Sequence, residues 1–176
     1  MKIRIIPVVL TVIISGGLLF GGWFTFRQVA QQTPLENIVN HYEGINQSTL
    51  EISPNEVVVK IDVEPGTKLS GLVQQINSEG KSIIDGRTLK LDVVDHSNDA
   101  LDDFWDEALF PVAEAMENRR YTQIVEKLQE MEQDSTVQVT TEMDDKNVYV
   151  GLTDGEGSKF IILPREPEVL EVWNNA

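Results

Sequence analysis

The chain has 176 residues, with 29 acidic against 14 basic, and a formal net charge of −15 at pH 7. That balance argues against nucleic acid as a partner, because gripping a phosphate backbone takes clustered Lys and Arg. There is no cysteine, which excludes disulfides, thiol catalysis and zinc–thiolate sites and leaves any exported domain to its core alone.

Residues 5–24, IIPVVLTVIISGGLLFGGWF, carry no charge. A helix of that length is about 30 Å long, close to the thickness of a bilayer's hydrocarbon core. The run exceeds the roughly 7–15-residue centre of a cleaved signal peptide, and Gln28-Val29-Ala30 is a poor small-x-small cleavage site. We therefore read residues 5–26 as an uncleaved transmembrane helix with the lipid bilayer as its partner, residues 1–4 as a cytoplasmic tip and 27–33 as a polar spacer. Lys2 and Arg4 precede the span and Arg27 alone follows it closely. Basic flanks stay in the cytoplasm, so a single-pass cell-membrane protein with an extracytoplasmic body is expected. Pro7 fits the first turn, where the N–H groups are free anyway. Gly17 and Gly21 form a GxxxG pair, the pattern of a close contact between membrane helices. Trp23, Phe24 and Phe26 fall where aromatic rings favour the outer headgroup layer.

Behind the span lie eleven of the fourteen basic residues and all 29 acidic ones, about −18 in all. Such a surface stays soluble and away from anionic headgroups. Thr33, Pro34 and Glu36 make a helix start, with Leu35, Ile38, Val39 and Tyr42 on one face and Gly44 as a left-handed stop. A hairpin follows, from Thr49–Ser53 to Val57–Val63, turning at Ser53-Pro54-Asn55-Glu56. Its second strand alternates Val57, Val59, Ile61 and Val63 on one side. A second helix is expected over Thr67–Ser78, with Leu69, Leu72, Val73 and Ile76 inward and Gly80 ending it. Ile83-Ile84 reads as a short extended piece, and Leu89, Leu91 and Val93 as a third strand. Residues 34–95 thus read α-β-β-α-β, a sheet with helices on one face.

Residues 95–99, DHSND, read as a polar linker between subdomains. A long helix begins near Asp99 with a broad apolar stripe of Leu101, Phe104, Trp105, Ala108, Leu109, Val112, Ala113 and Met116. Pro111 should bend or split it near Phe110. Another helix spans Tyr121–Glu132, and strands are expected over Val137–Met143, Val148–Leu152 and Lys159–Leu163. Residues 99–163 thus read α-α-β-β-β. The tail, 164–176, carries Val169, Leu170, Val172 and Trp173, enough apolar surface to dock on a sheet or a neighbour. The fold class is α+β, a transmembrane helix followed by two small αβ subdomains; separate sheets and one composite sheet both satisfy the pattern.

Sequence chemistry is sparse. His41 and His96 are the only histidines, and neither has a carboxylate at metal-ligand spacing. Asp99, Asp102, Asp103, Asp106 and Glu107 crowd the start of the long helix, where its partial positive charge favours acids. Glu142-Met143-Asp144-Asp145-Lys146-Asn147 has calcium-loop composition without that loop's glycine or closing glutamate. No nucleophile elbow, phosphate loop or dinucleotide fingerprint is present. A non-enzymatic protein without metal or cofactor is therefore expected. The most distinctive stretch is 105–121, WDEALFPVAEAMENRRY. Trp105, Phe110, Arg119, Arg120 and Tyr121 make it a candidate partner surface, or else a core helix whose last turn carries cations.

The α-β-β-α-β order of residues 34–95, carried by Leu35–Gly44, Val57–Val63 and Leu69–Ile76 behind a membrane span, resembles the small ring-building modules of bacterial secretion and sporulation channel proteins. The whole chain is similar to uncharacterised single-pass membrane-anchored proteins of endospore-forming Gram-positive bacteria. The resemblance implies an extracytoplasmic protein that binds or assembles with other envelope proteins, or with further copies of itself, and supplies no catalytic residue. The alternative class is an envelope hydrolase or a ligand or cation sensor using an acidic cleft.

Overall fold

The computed structural model describes residues 5–27, 33–155 and 157–166. Its elements run α1 (Ile5–Arg27), α2 (Thr33–Asn40), β1 (Ile45–Ile52), β2 (Glu56–Val63), α3 (Leu69–Glu79), α4 (Lys81–Ile84), β3 (Thr88–Val93), α5 (Asp99–Glu117), α6 (Tyr121–Glu132), β4 (Gln138–Met143), β5 (Asn147–Asp154) and β6 (Gly157–Pro164). The class is mixed α+β. The strands form two three-stranded sheets, ordered β1-β2-β3 and β4-β5-β6, rather than one composite sheet.

The first sheet follows from alternation. Val57, Val59, Ile61 and Val63 of β2 turn one way and are buried with Leu35 and Val39 of α2 and Leu69, Leu72 and Ile76 of α3. β2 pairs antiparallel with β1 across the expected turn, and parallel with β3. A parallel pair needs a crossover, which α3 and α4 supply. The outer face is polar, with exposed ion pairs Lys60–Asp92 at 3.9 Å and Lys90–Glu56 at 3.4 Å.

Several boundaries differ from the sequence expectation. β1 starts at Ile45 rather than Thr49, because pairing with β2 holds Ile45 and the polar residues Asn46, Gln47 and Ser48 in the sheet through a register shift between Ile45 and Gln47. Ile83 and Ile84 are not extended but lie in the single-turn helix α4, where both are buried. Asp85 follows in the left-handed region and closes that turn onto the Lys81 carbonyl. Gly44 has φ +89°, as its expected role requires, although α2 ends earlier, at Asn40. Pro111 does not split α5, which runs unbroken from Asp99 to Glu117. The one backbone hydrogen bond that proline removes would end on the carbonyl of Glu107, an exposed residue where water can replace it. The helix is also secured at both ends. The Asn98 side-chain oxygen accepts from the Leu101 N–H at 3.0 Å, and Asp99 and Asp102 occupy the first turn.

In the second sheet, apolar residues point both ways. Val148, Val150 and Leu152 of β5 share a core with Leu101, Phe104, Ala108 and Val112 of α5 and Ile124 and Leu128 of α6. Tyr149 of β5, with Phe160 and Ile162 of β6, packs on the first core instead. Gly151 lies opposite Phe160 and Thr140. A Cβ there would sit 2.5 Å from Thr140 Oγ1, which would have to shift, while the Phe160 ring at 3.5 Å would be in ordinary contact.

The two halves are also joined by polar contacts. Glu142 Oε2 of β4 accepts from the Ser70 N–H at 3.1 Å and from the Ser70 hydroxyl, so it satisfies the open N-terminal turn of α3. His96, in the expected linker, exchanges backbone hydrogen bonds with Ser158 of β6, while its Nε2 lies 3.0 Å from Asp62 of β2. Lys159 then binds Asp102 at 2.8 Å and Asp95 at 3.5 Å.

Helix α1 lies where the uncharged run predicts. Its side chains are described from 9 to 23, and Leu18, Leu19, Phe20 and Trp23 are each at least 67% exposed. Among the described residues no helix is long and apolar enough to cross a membrane. That described stretch is itself shorter than the roughly 20 residues a span requires. The tip 1–4, spacer residues 28–32, Glu156 and tail residues 167–176 lie outside the described residues, as do the side chains of Phe24 and Phe26.

Candidate partner-binding groove

Helix α5 carries more apolar surface than its core accepts. Leu101, Phe104, Ala108, Val112 and Ala115 are buried. Trp105, Leu109, Ala113 and Met116 belong to an adjoining stripe at i, i+4, i+8 and i+11, and the expected broad stripe is in fact these two rows. The second row forms one wall of an open groove of about 390 Å³. Leu163, Pro164 and Arg165, at the end of β6, form the other wall, and Glu117 and Arg119 close the end nearest the C-terminus of α5.

Arg119 is set by local backbone chemistry. It follows the helix cap Asn118 and has φ +54°, one of two positive-φ residues other than glycine among the described residues. Its N–H donates to the Met116 carbonyl at 3.0 Å and the Arg120 N–H to the Ala115 carbonyl at 2.8 Å. This is the paired closure of a left-handed helix end, a position that normally takes glycine. An arginine there accepts roughly 1 kcal/mol of backbone strain and delivers a guanidinium to the groove.

Arg165 is fixed from several sides. Its Nη1 donates to the carbonyls of Asp144 at 2.9 Å and Asp145 at 3.2 Å. Its guanidinium carbon lies 4.8 Å from the centre of the Tyr121 ring, a cation–π contact. Its Nε, buried, has no acceptor among the described residues. The two wall arginines therefore stand 46 positions apart in sequence but line the same groove.

Of the five residues the sequence singles out, Trp105 and Arg119 line the groove and Tyr121 supports it through Arg165. Phe110 is 78% exposed and stands outside the lining, and Arg120 contributes backbone contacts at the start of α6. Leu109, Met116, Leu163, Pro164 and Arg165 were not singled out. Leu109 and Met116 were legible only as part of one stripe, and the β6 wall had no local signal. No protein-family model, curated protein or solved structure matches this chain.

The acidic clusters have structural partners. Asp102 accepts from Lys159 and, at 2.6 Å, from the Ser97 hydroxyl. The hydrogen bond from Lys159, then that from Ser97, holds its carboxyl below the ordinary 3.8. Asp144 Oδ1 accepts the N–H groups of Lys146 and Asn147, each at 2.7 Å, which makes the β4–β5 turn an Asx turn. Its Oδ2 accepts the Tyr149 hydroxyl at 2.6 Å. Among the described residues no group of three or more His, Asp or Glu side chains could hold a metal ion. Gly17 and Gly21 lie on α1, and a Cβ added at either meets nothing within 4 Å.

Proposed function

We propose that this chain is a membrane-anchored protein whose extracytoplasmic α+β body binds other envelope proteins through the groove between α5 and β6. The observation that carries the reading is the groove itself: largely apolar walls with Arg119 and Arg165 in their lining, on a chain whose net charge is strongly negative. Apolar surface rimmed by arginine is the composition of protein contacts, where aromatic and Arg side chains carry most of the energy. Its polar lining is two guanidiniums and one carboxylate rather than convergent acids.

Two further features support the anchor. Residues 5–24 carry no charge, and the large apolar side chains Leu18, Leu19, Phe20 and Trp23 of α1 are exposed. A helix apolar all round is stable only when lipid or protein surrounds it. The GxxxG spacing of Gly17 and Gly21 supports a second copy alongside, as does the resemblance of residues 34–95 to ring-building modules.

A photo-crosslinking residue in place of Ala113, an exposed groove position, tests the reading in cells. One discrete adduct is expected, identified by mass spectrometry as an envelope protein or a second copy, and weakened by Trp105→Ala. Labelling no stronger than from Asn55, in the β1–β2 turn, would sink it. A reporter fused after Ala176 is expected to be active only outside the cytoplasm; activity inside would reverse the orientation.

A further inference from the structure

We propose that the groove takes its partner as an added β-strand: an extended segment of another envelope protein, apolar at alternate positions and carrying a carboxylate, that pairs with the outer edge of β6. This rests on reading the groove as a docking site and names how the partner is held.

The register of β6 shows which of its backbone groups are spare. The Arg165 N–H donates inward to the Lys146 carbonyl at 2.8 Å, whereas Ser158 exchanges hydrogen bonds outward with His96 at 3.1 and 3.2 Å. These directions alternate along an antiparallel strand, so Phe160 and Ile162 also present their N–H and C=O groups away from β5. Among the described residues those groups meet no partner. The open stretch has definite ends, since His96 occupies Ser158 and Pro164 has no N–H. It runs directly into the groove wall of Leu163, Pro164 and Arg165. The other edge of this sheet is closed: the outward N–H of Val139 on β4 is held by Glu132 Oε1 at 3.0 Å. The β3 edge of the first sheet carries Lys90 and Asp92, charges that guard such an edge.

The same register sets the side chains of the incoming strand. Residues opposite each other in an antiparallel pair share a face, and Ile161 and Leu163 pack on the core shared with α5 and α6. Side chains opposite them enter the groove against the row of α5 that its own core leaves open, Trp105, Leu109, Ala113 and Met116. Charge then selects the partner. Arg165 is engaged by two backbone carbonyls and the Tyr121 ring. Arg119 is exposed, and no acid or carbonyl among the described residues holds its guanidinium, so it is the group that meets a carboxylate on the incoming strand. A second copy would bring another net charge of −15 to the same edge. A short segment bearing one acid delivers its carboxylate without that repulsion.

The test uses the full chain in detergent micelles and a set of labelled synthetic peptides that alternate Val and Thr, with Glu placed at each position in turn. By fluorescence anisotropy, at least one member is expected to bind with a Kd below about 1 mM. Methylating its backbone nitrogens at one set of alternate residues should weaken it at least about tenfold, and methylating the other set should leave it unchanged. Ile162→Pro removes an outward N–H that the β5 ladder does not use, and should weaken binding likewise; Thr141→Pro, the matching change on the β4 edge, should not. Arg119→Glu should weaken the Glu peptide and restore binding when Lys replaces that Glu. Thermal unfolding of each variant checks that the fold is kept. No binding by any member, or binding indifferent to methylation of either set, overturns the proposal. A dimer that is lost in Ile162→Pro assigns the edge to a second copy and overturns it too. Failure here is separable from failure of the groove. If position 113 captures its partner in cells and Ile162→Pro captures it equally well, the groove stands and the added strand does not.

Discussion

The two sheets solve the same problem in opposite ways. In β2 every second residue is buried and the face between carries Glu56, Lys60 and Asp62. In β5 five consecutive residues, Val148 to Leu152, are buried, because helices cover one face and the first core meets the other. The first sheet is therefore stabilised by one face, and the second acts as the layer through which the halves are held together. Substitutions separate these roles. Leu152→Ala, at a fully buried site in the core that β5 shares with α5 and α6, should lower stability by about 2–4 kcal/mol. Lys60→Ala, on the outer face of the first sheet, should change it by less than about 0.5 kcal/mol. Urea unfolding of both variants checks the contrast, and a large effect at Lys60 would break it.

The next largest effect concerns the joint itself. Glu142 ties β4 to the first turn of α3. Glu142→Ala removes the acceptor of a helix N-terminal N–H and should destabilise by about 1–2 kcal/mol, while Glu142→Gln, which keeps an acceptor, should lose less. If the joint couples the halves, Trp fluorescence and far-UV circular dichroism should stop reporting a single transition in the alanine variant.

These contrasts also explain what was legible in the sequence. Leu69, Leu72, Val73 and Ile76 repeat at helical spacing, and all four are buried on α3. The β2 alternation was equally plain. Ile83 and Ile84 were not legible, since four residues hold no period and Gly80 and Asp85 decide their shape from outside. β1 begins early because its polar start is held by pairing rather than pattern. The groove was half visible. The apolar excess of α5 was readable, but its division into a buried row and an open row depends on where β6 ends. Arg165 had no mark in sequence to bring it beside Arg119. The membrane span is read from the uncharged run and remains a proposal.

Tyr149 sharpens the comparison through pH, because it lies on the face of β5 turned to the first core. Burial first, and then the hydrogen bond to Asp144, push its phenol above the ordinary value of 10. A phenol raised on folding contributes stability that is complete below the unfolded value and is lost as pH rises towards the folded one. Tyr149→Phe should therefore be less stable than the parent by about 1 kcal/mol at pH 7, with the gap closing above pH 10. Thermal unfolding from pH 7 to 11 tests this, and a gap constant across that range would contradict it.

The smallest expected effect separates structure from function most cleanly. Arg119 occupies a left-handed position that glycine would fill without strain, and its main-chain hydrogen bonds at the end of α5 do not depend on its side chain. Arg119→Gly should thus stabilise the body by about 0.5–1 kcal/mol. It also removes one of the two arginines lining the groove, so capture from position 113 should weaken. A residue kept only for folding would lose nothing by becoming glycine. A rise in melting temperature together with loss of capture would show that the strain is carried for the sake of the groove. If the variant is more stable and captures as well as the parent, Arg119 is not part of the binding surface, and the charge complementarity rests on Arg165 alone.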